Sequence, residues 1–157
     1  MIDRRNFLSF APALLALGFA PRAQAAEFAV THTEAEWRKL LTPAQFDVLR
    51  EEGTERPFTS PLLKEHRKGA FACAGCDQDA FESATKFESG TGWPSFWKPL
   101  DKAVLETKDN SYGMTRTAVS CSRCGGHLGH VFDDGPKPTG LRYCMNGVAM
   151  TFRPATA

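Results

Sequence analysis

The amino-acid sequence predicts a mainly β domain introduced by two short helices and stapled by a structural four-cysteine zinc site. Three observations carry that reading. Helical grammar is confined to residues 33–53, and beyond Pro57 the 3.6-residue period gives way to short segments punctuated by Gly, Pro and aromatic residues. Cys73-Ala74-Gly75-Cys76 is echoed by Cys121-Ser122-Arg123-Cys124, two pairs at metal-knuckle spacing. The 157 residues, 42% hydrophobic and 24% charged, fit one modest globular domain. A formal net charge of +1 gives neither a nucleic-acid footprint nor a membrane-surface patch, so neither class of partner is expected.

Residues 1–25 read as a cleaved export signal. Arg4-Arg5 stand ahead of an apolar run from Phe7 to Ala20, too short to span a bilayer comfortably, and Ala23-Gln24-Ala25 offers small residues at a peptidase spacing. Arg4 to Leu8, RRNFL, resembles the twin-arginine export signal, which implies a periplasmic protein whose mature domain is residues 26–157. The alternative, a retained amphipathic helix, conflicts with Pro12 and the lack of a polar stripe at helical period.

In the domain, Thr33-Glu34-Ala35-Glu36 has the capping-box form, and Trp37, Leu40 and Leu41 then share a helical face. Thr42-Pro43-Ala44-Gln45 repeats the pattern with Pro at the first helical position; Phe46 and Leu49 supply its apolar side and Gly53 its stop. Strands are expected over residues 102–107, 113–120, 129–133 and 141–152. Asp109-Asn110-Ser111 reads as a hairpin loop between the first two, so the sheet is antiparallel.

Paired thiolates two residues apart can wrap one tetrahedral cation, and Cys73, Cys76, Cys121 and Cys124 together make a closed structural zinc site. Disulfides within or between the pairs are the alternative, favoured by an oxidising exported setting. An export route that moves folded proteins would reconcile the two, because zinc could load in the reducing cytoplasm first.

Cys144 is then left over. On a strand, Arg142, Cys144 and Asn146 project to one side, and Leu141, Tyr143 and Met145 to the other, apolar side. Arg142 beside the sulfur favours thiolate, the nucleophilic form. His127 and His130 follow the second cysteine pair, where they are either proton carriers or structural residues. In Ser89-Gly90-Thr91-Gly92-Trp93-Pro94-Ser95-Phe96, Trp93 and Phe96 either wall a substrate-binding cup or belong to the core.

The segments SGTGWPSF, both C-x-x-C pairs, GGHLGHVFDDGP and LRYCMNG resemble, in order, those of the B-type peptide-methionine (R)-S-oxide reductases. The resemblance covers nearly all of the mature chain. It implies a mainly antiparallel β fold of two packed sheets, often with structural zinc, that reduces the R diastereomer of methionine sulfoxide in oxidised proteins. It makes Cys144 the nucleophile, passing through a sulfenic acid. Trp93 would hold the sulfur-bound methyl group. His127, His130 and Asn146 would position water or supply a proton, and Arg142 would set the electrostatics. Many relatives carry a resolving cysteine where this chain has Thr91, so regeneration is expected from an external thioredoxin-like protein or small thiol. Nothing demands more than a monomer. Two other readings stay open: a zinc-stabilised binding module, which predicts an inert Cys144, and a peroxide-scavenging thiol enzyme, which predicts faster turnover of peroxide than of sulfoxide.

Overall fold

A computed structural model describes residues 28–156, apart from the side chain of Tyr112. The export signal expected over residues 1–25 lies outside the described residues. Helix α1 (Glu34–Leu40) and helix α2 (Pro43–Glu51) both begin with complete capping boxes. The Thr33 and Thr42 hydroxyls accept the Glu36 and Gln45 N–H groups, and the Glu36 and Gln45 side chains reach back to the cap N–H groups at 2.8 and 3.0 Å. Each cap contributes about 1 kcal/mol. Two details differ from expectation. Because α1 ends at Leu40 and Leu41 turns extended, Leu41 reaches the core while Leu40 stays 61% exposed. The left-handed stop of α2 falls on Glu52 (φ 59°), one residue before Gly53.

The strands form two antiparallel sheets. The smaller contains β1 (Gly69–Cys73), β2 (Asp79–Glu82) and, from the far end of the chain, β9 (Met150–Pro154), in the order β2-β1-β9. The larger has β3 (Lys86–Phe87), β4 (Ser95–Phe96), β5 (Val104–Asp109), β6 (Arg116–Cys121), β7 (His127–Phe132) and β8 (Arg142–Met145). Their order is β3-β4-β8-β7-β6-β5. The single strand expected over residues 141–152 is instead two strands in different sheets, separated by a 3-10 turn at Gly147–Ala149. Packing enforces the break: a Cβ on Gly147 would fall on the Ser60 hydroxyl, and the Glu55 carboxylate accepts the N–H groups of Gly147 and Val148.

The sheets meet through aromatic rings. Phe96 stacks on Phe81 at 4.5 Å and takes Phe71 edge-on at 4.9 Å, while Phe81 packs on Tyr143 at 5.8 Å. Burial of each phenyl stabilises the domain by about 1.5–3 kcal/mol. Phe96, expected as part of a substrate cup, is therefore a core residue with 0% exposure. Strand alternation is the cause: Phe96 lies opposite Tyr143 on the core face, and its neighbour Ser95 lies opposite Cys144. Helix α2 packs over β7 and the 147–149 turn. Among the described residues, no helix is long and apolar enough to cross a membrane.

Candidate active site and metal centre

Cys73 ends β1 and Cys121 ends β6, so each begins a tight turn that leaves its sheet. The two turns are built alike. The N–H of Asp77 donates to the Cys73 carbonyl and that of Gly125 to the Cys121 carbonyl, both at 2.9 Å, and each donor residue is left-handed (φ 57° and 69°). This brings Cys76 and Cys124 back beside Cys121 and Cys73. The four Sγ atoms lie within 4.8 Å of one another, with Cys73 to Cys124 at 3.7 Å and Cys76 to Cys121 at 3.5 Å. All five cysteines are free, and these separations far exceed the roughly 2.05 Å of a disulfide. They do match the edge of about 3.8 Å that a tetrahedron of sulfurs has around a cation with bonds of about 2.3 Å.

Proton sharing within the cluster makes the same point. Hydrogen bonds from Cys124 and Cys73 drive the Cys121 thiol down to about 2. Cys124 is pushed up to about 12 by its bond to Cys121, and Cys73 is raised by its bonds to Cys121 and Cys124. A cluster of neighbouring sulfurs resists a second negative charge, whereas a bound cation lets every ligand ionise. The group can hold a metal ion, and it would tie the two sheets together.

Cys144 sits in the middle of the larger sheet, between Ser95 of β4 and His130 of β7 in register. It shares the face of Arg142, while Tyr143 and Met145 point into the core. On a regular strand His127 and His130, three apart, would face opposite ways. Strand β7 carries a bulge: Val119 pairs with Gly129 and the next residue, Ser120, pairs with His127, which leaves Leu128 as the extra residue. The two imidazoles therefore meet, with ring centroids 5.2 Å apart.

Their environments differ. His127 is 4% exposed, burial and then the neighbouring His130 lower its pKa to about 4, and among the described residues its Nε2 has no partner. His130 lies 2.9 Å through Nε2 from the Asp109 carboxylate, which also accepts Arg116 at 2.7 Å and the Ser111 N–H at 2.8 Å. Hydrogen bonds from Ser111, then from His130 and Arg116, hold Asp109 well below the ordinary carboxylate range.

A cavity of about 150 Å³ opens on Cys144, bounded by Trp93, Phe132, His130 and Asn146. The Trp93 indole donates to the Glu55 carbonyl at 3.1 Å, which fixes its plane. Asn146 is buried with both ends of its amide occupied: Nδ2 donates to the Leu128 carbonyl at 3.1 Å and Oδ1 accepts the Glu55 N–H at 3.0 Å. Arg142 makes a bidentate pair with Asp134 at 2.8 and 2.7 Å and lies over the Phe132 ring. Asp134 first, and Cys144 also, raise its pKa. The Thr91 hydroxyl is 3.8 Å from the Cys144 sulfur.

Of the residues singled out in the sequence, Cys144, His130, Asn146 and Trp93 border one cavity; His127 packs on His130 and Arg142 on Phe132, both residues of the cavity wall, and Phe96 is on the other side of the sheet. Asp109, Arg116 and Glu55 were not anticipated. Asp109 reads as a turn residue, and only the register of the β5–β6 hairpin brings it to His130. The arrangement combines a nucleophilic atom, two imidazoles and an aromatic wall, enough to bind a small soft centre and move protons around it.

The SelR domain family matches residues 41–154. The chain is 55% identical over 126 residues to the peptide methionine sulfoxide reductase MsrB of Agrobacterium fabrum, covering 80% of this chain and 93% of that protein. It is 55% identical over 129 residues to the namesake from Methanosarcina barkeri, covering 82% and 91%. It is 51% identical over 127 residues to that of Leptospira interrogans, covering 80% and 97%. With the SelR match spanning both cysteine turns, the histidine strand and the Cys144 strand, this chain belongs to the SelR-domain family of peptide methionine sulfoxide reductases.

Proposed function

We propose that the protein reduces the R diastereomer of methionine sulfoxide in oxidised proteins, with Cys144 as nucleophile. The observation that carries this reading is the separation of the thiols: four are grouped with one another, and the fifth alone borders a small cavity with Trp93 and His130. The Cys144 thiolate attacks the sulfoxide sulfur while an imidazole proton goes to the sulfoxide oxygen, with His127 and Asn146 ordering the water and backbone around it. Trp93 receives the sulfur-bound methyl group, whose positive character favours an aromatic face. Arg142 balances the charge on the sulfur. In sum, Cys144–SH and R₂S=O give Cys144–SOH and R₂S, so two electrons pass from the cysteine to the sulfoxide.

Thr91 occupies the place from which a second thiol could attack the sulfenic acid, and it cannot do so. An external thiol R′SH therefore forms Cys144–S–S–R′ and releases water; a second thiol then frees Cys144–SH as R′S–SR″ forms. The four-cysteine group suits zinc, which prefers tetrahedral thiolate ligation and would act as a cross-link between the sheets, away from the reaction. Residues 1–25 are proposed as a twin-arginine signal and residues 26–157 as the mature periplasmic domain, monomeric and loaded with zinc before export.

The test supplies peptide R and S sulfoxides separately with excess dithiol and follows methionine. Consumption of the R form alone is expected, abolished by Cys144→Ser. Turnover by Cys144→Ser, or none by the wild type, would overturn the reading. N-terminal sequencing and metal analysis of protein recovered from the periplasm test the remainder, with Ala26 and one zinc per chain expected.

A further inference from the structure

We propose that Asp109 is a positioning residue for the reaction: it fixes the His130 imidazole with a proton on Nε2, and so leaves Nδ1 to take the proton of the Cys144 thiol and pass it to the substrate oxygen. The inference rests on the reductase reading above. Asp109 ends β5, at the far edge of the sheet, and lies opposite Arg116 across the hairpin. Its Oδ2 receives both Arg116 and His130, while its Oδ1 is occupied by the Ser111 N–H. An ionised carboxylate only accepts, so the hydrogen in the contact with His130 belongs to Nε2. The tautomer is thereby set by a residue that does not border the Cys144 cavity.

The surroundings argue against a hairpin clasp alone. The Asp109 and His130 side chains are only 16% and 14% exposed, unlike an ordinary pair at a turn. They also border a second, polar cavity of about 380 Å³ that shares Arg116 and His130 with the Cys144 cavity. The charged and titratable groups that line one or other of these cavities with His130 are Asp109 and Arg116 from the hairpin, His127 from its own strand, and Glu51 and Glu52 at the end of α2 in the polar one, and Arg116 and Cys144 in the other. Of these carboxylates, only Asp109 is within hydrogen-bond distance of the ring. Ser111 and Arg116 hold Asp109 so that its direction cannot wander, and an orienting carboxylate of this kind turns a freely flipping imidazole into a directed one.

The experiment uses the full-length zinc-loaded protein with ¹⁵N-labelled histidine. A wild-type His130 signal with the proton on Nε2 is expected. In Asp109→Asn, whose amide can donate as well as accept, the signal should become a tautomer mixture and kcat should fall by about 10- to 100-fold with KM little changed. Asp109→Glu should restore part of both. The same Asp109→Asn change in a His130→Ala background should cost nothing further, because its effect passes through the imidazole. Wild-type kcat in Asp109→Asn, an unaltered ring signal, or an undiminished penalty in the His130→Ala background would each overturn the inference. Should Asp109→Asn fail to fold, Asp109→Ser, which also lacks the carboxylate, carries the same expectations, and a wild-type kcat or an unaltered ring signal in it overturns the inference. A wild-type protein inert toward sulfoxide would overturn the reductase reading, and the ring signal would still decide what Asp109 does.

Discussion

The four cysteines that end β1 and β6 or fold back beside them, and the cysteine in the middle of β8, are the same side chain in unlike company. The first four are drawn together by two nearly identical turns, each closed by its own backbone hydrogen bond, so that every sulfur has another sulfur as its neighbour. Among the described residues Cys144 has none; its neighbours are a hydroxyl, an imidazole and an indole brought from separate strands and loops. The cluster is a product of local chain geometry, and the reactive pocket is a product of sheet register. Sulfur held by sulfur suits permanent ligation, whereas sulfur held among proton carriers and an aromatic wall suits a bond that forms and breaks.

The sharpest way to break this contrast is to exchange the lesions. Cys144→Ser should abolish sulfoxide reduction and leave the unfolding midpoint within about 0.5 kcal/mol of wild type. Cys121→Ser, or a chelator applied to protein whose cluster holds zinc as proposed, should destabilise the fold by several kcal/mol and lower activity only as far as protein unfolds. Denaturant titrations beside turnover assays check both; a stability loss in the first or a normal midpoint in the second would erase the distinction.

A smaller effect separates the pocket by pH. His127 titrates at about 4 when folded and near its ordinary 6.5 when unfolded, so below 6.5 the unfolded chain takes up a proton that the folded protein refuses. Stability from this source is intact above pH 6.5 and falls by roughly 3 kcal/mol as pH drops toward 4. His127→Gln should flatten that part of the stability profile, measured as the difference between the two proteins so that acid effects on the cysteine cluster cancel.

Phe96→Leu should cost about 1 kcal/mol and leave KM for sulfoxide unchanged, as befits a core residue on the opposite face from Cys144. A raised KM would return Phe96 to the substrate. Thr91→Cys should have the least effect on the first chemical step. After one turnover without reductant, however, mass spectrometry should find an intramolecular disulfide in place of the sulfenic acid, since the hydroxyl it replaces is 3.8 Å from the Cys144 sulfur.

What could be read directly in the sequence follows from the same contrast. The helices and the cysteine turns declare themselves because capping boxes and C-x-x-C spacing are contacts between residues a few places apart. The alternation of Arg142, Cys144, Tyr143 and Met145 is likewise local and is found as expected. Phe96 is misplaced because its face is set by pairing with Tyr143, and the break at Asn146 is missed because Ser60 and Glu55, far back in the chain, impose it. Strands β3 and β4 have two residues each, too few to show any alternation. Asp109 stays hidden for a related reason: its role depends on the stacking of β5, β6 and β7 side by side.

The bulge in β7 has a consequence for how this protein can vary. Spacing there acts as information in its own right, because the extra residue shifts the strand by half a period and puts both histidines in phase with Cys144. One residue more between the histidines would send His127 to the core face, and one fewer, by removal of Leu128, would take away the carbonyl that accepts both the backbone N–H and the side-chain amide of Asn146. Between His127 and His130 the chain therefore tolerates a change of letter far better than a change of count.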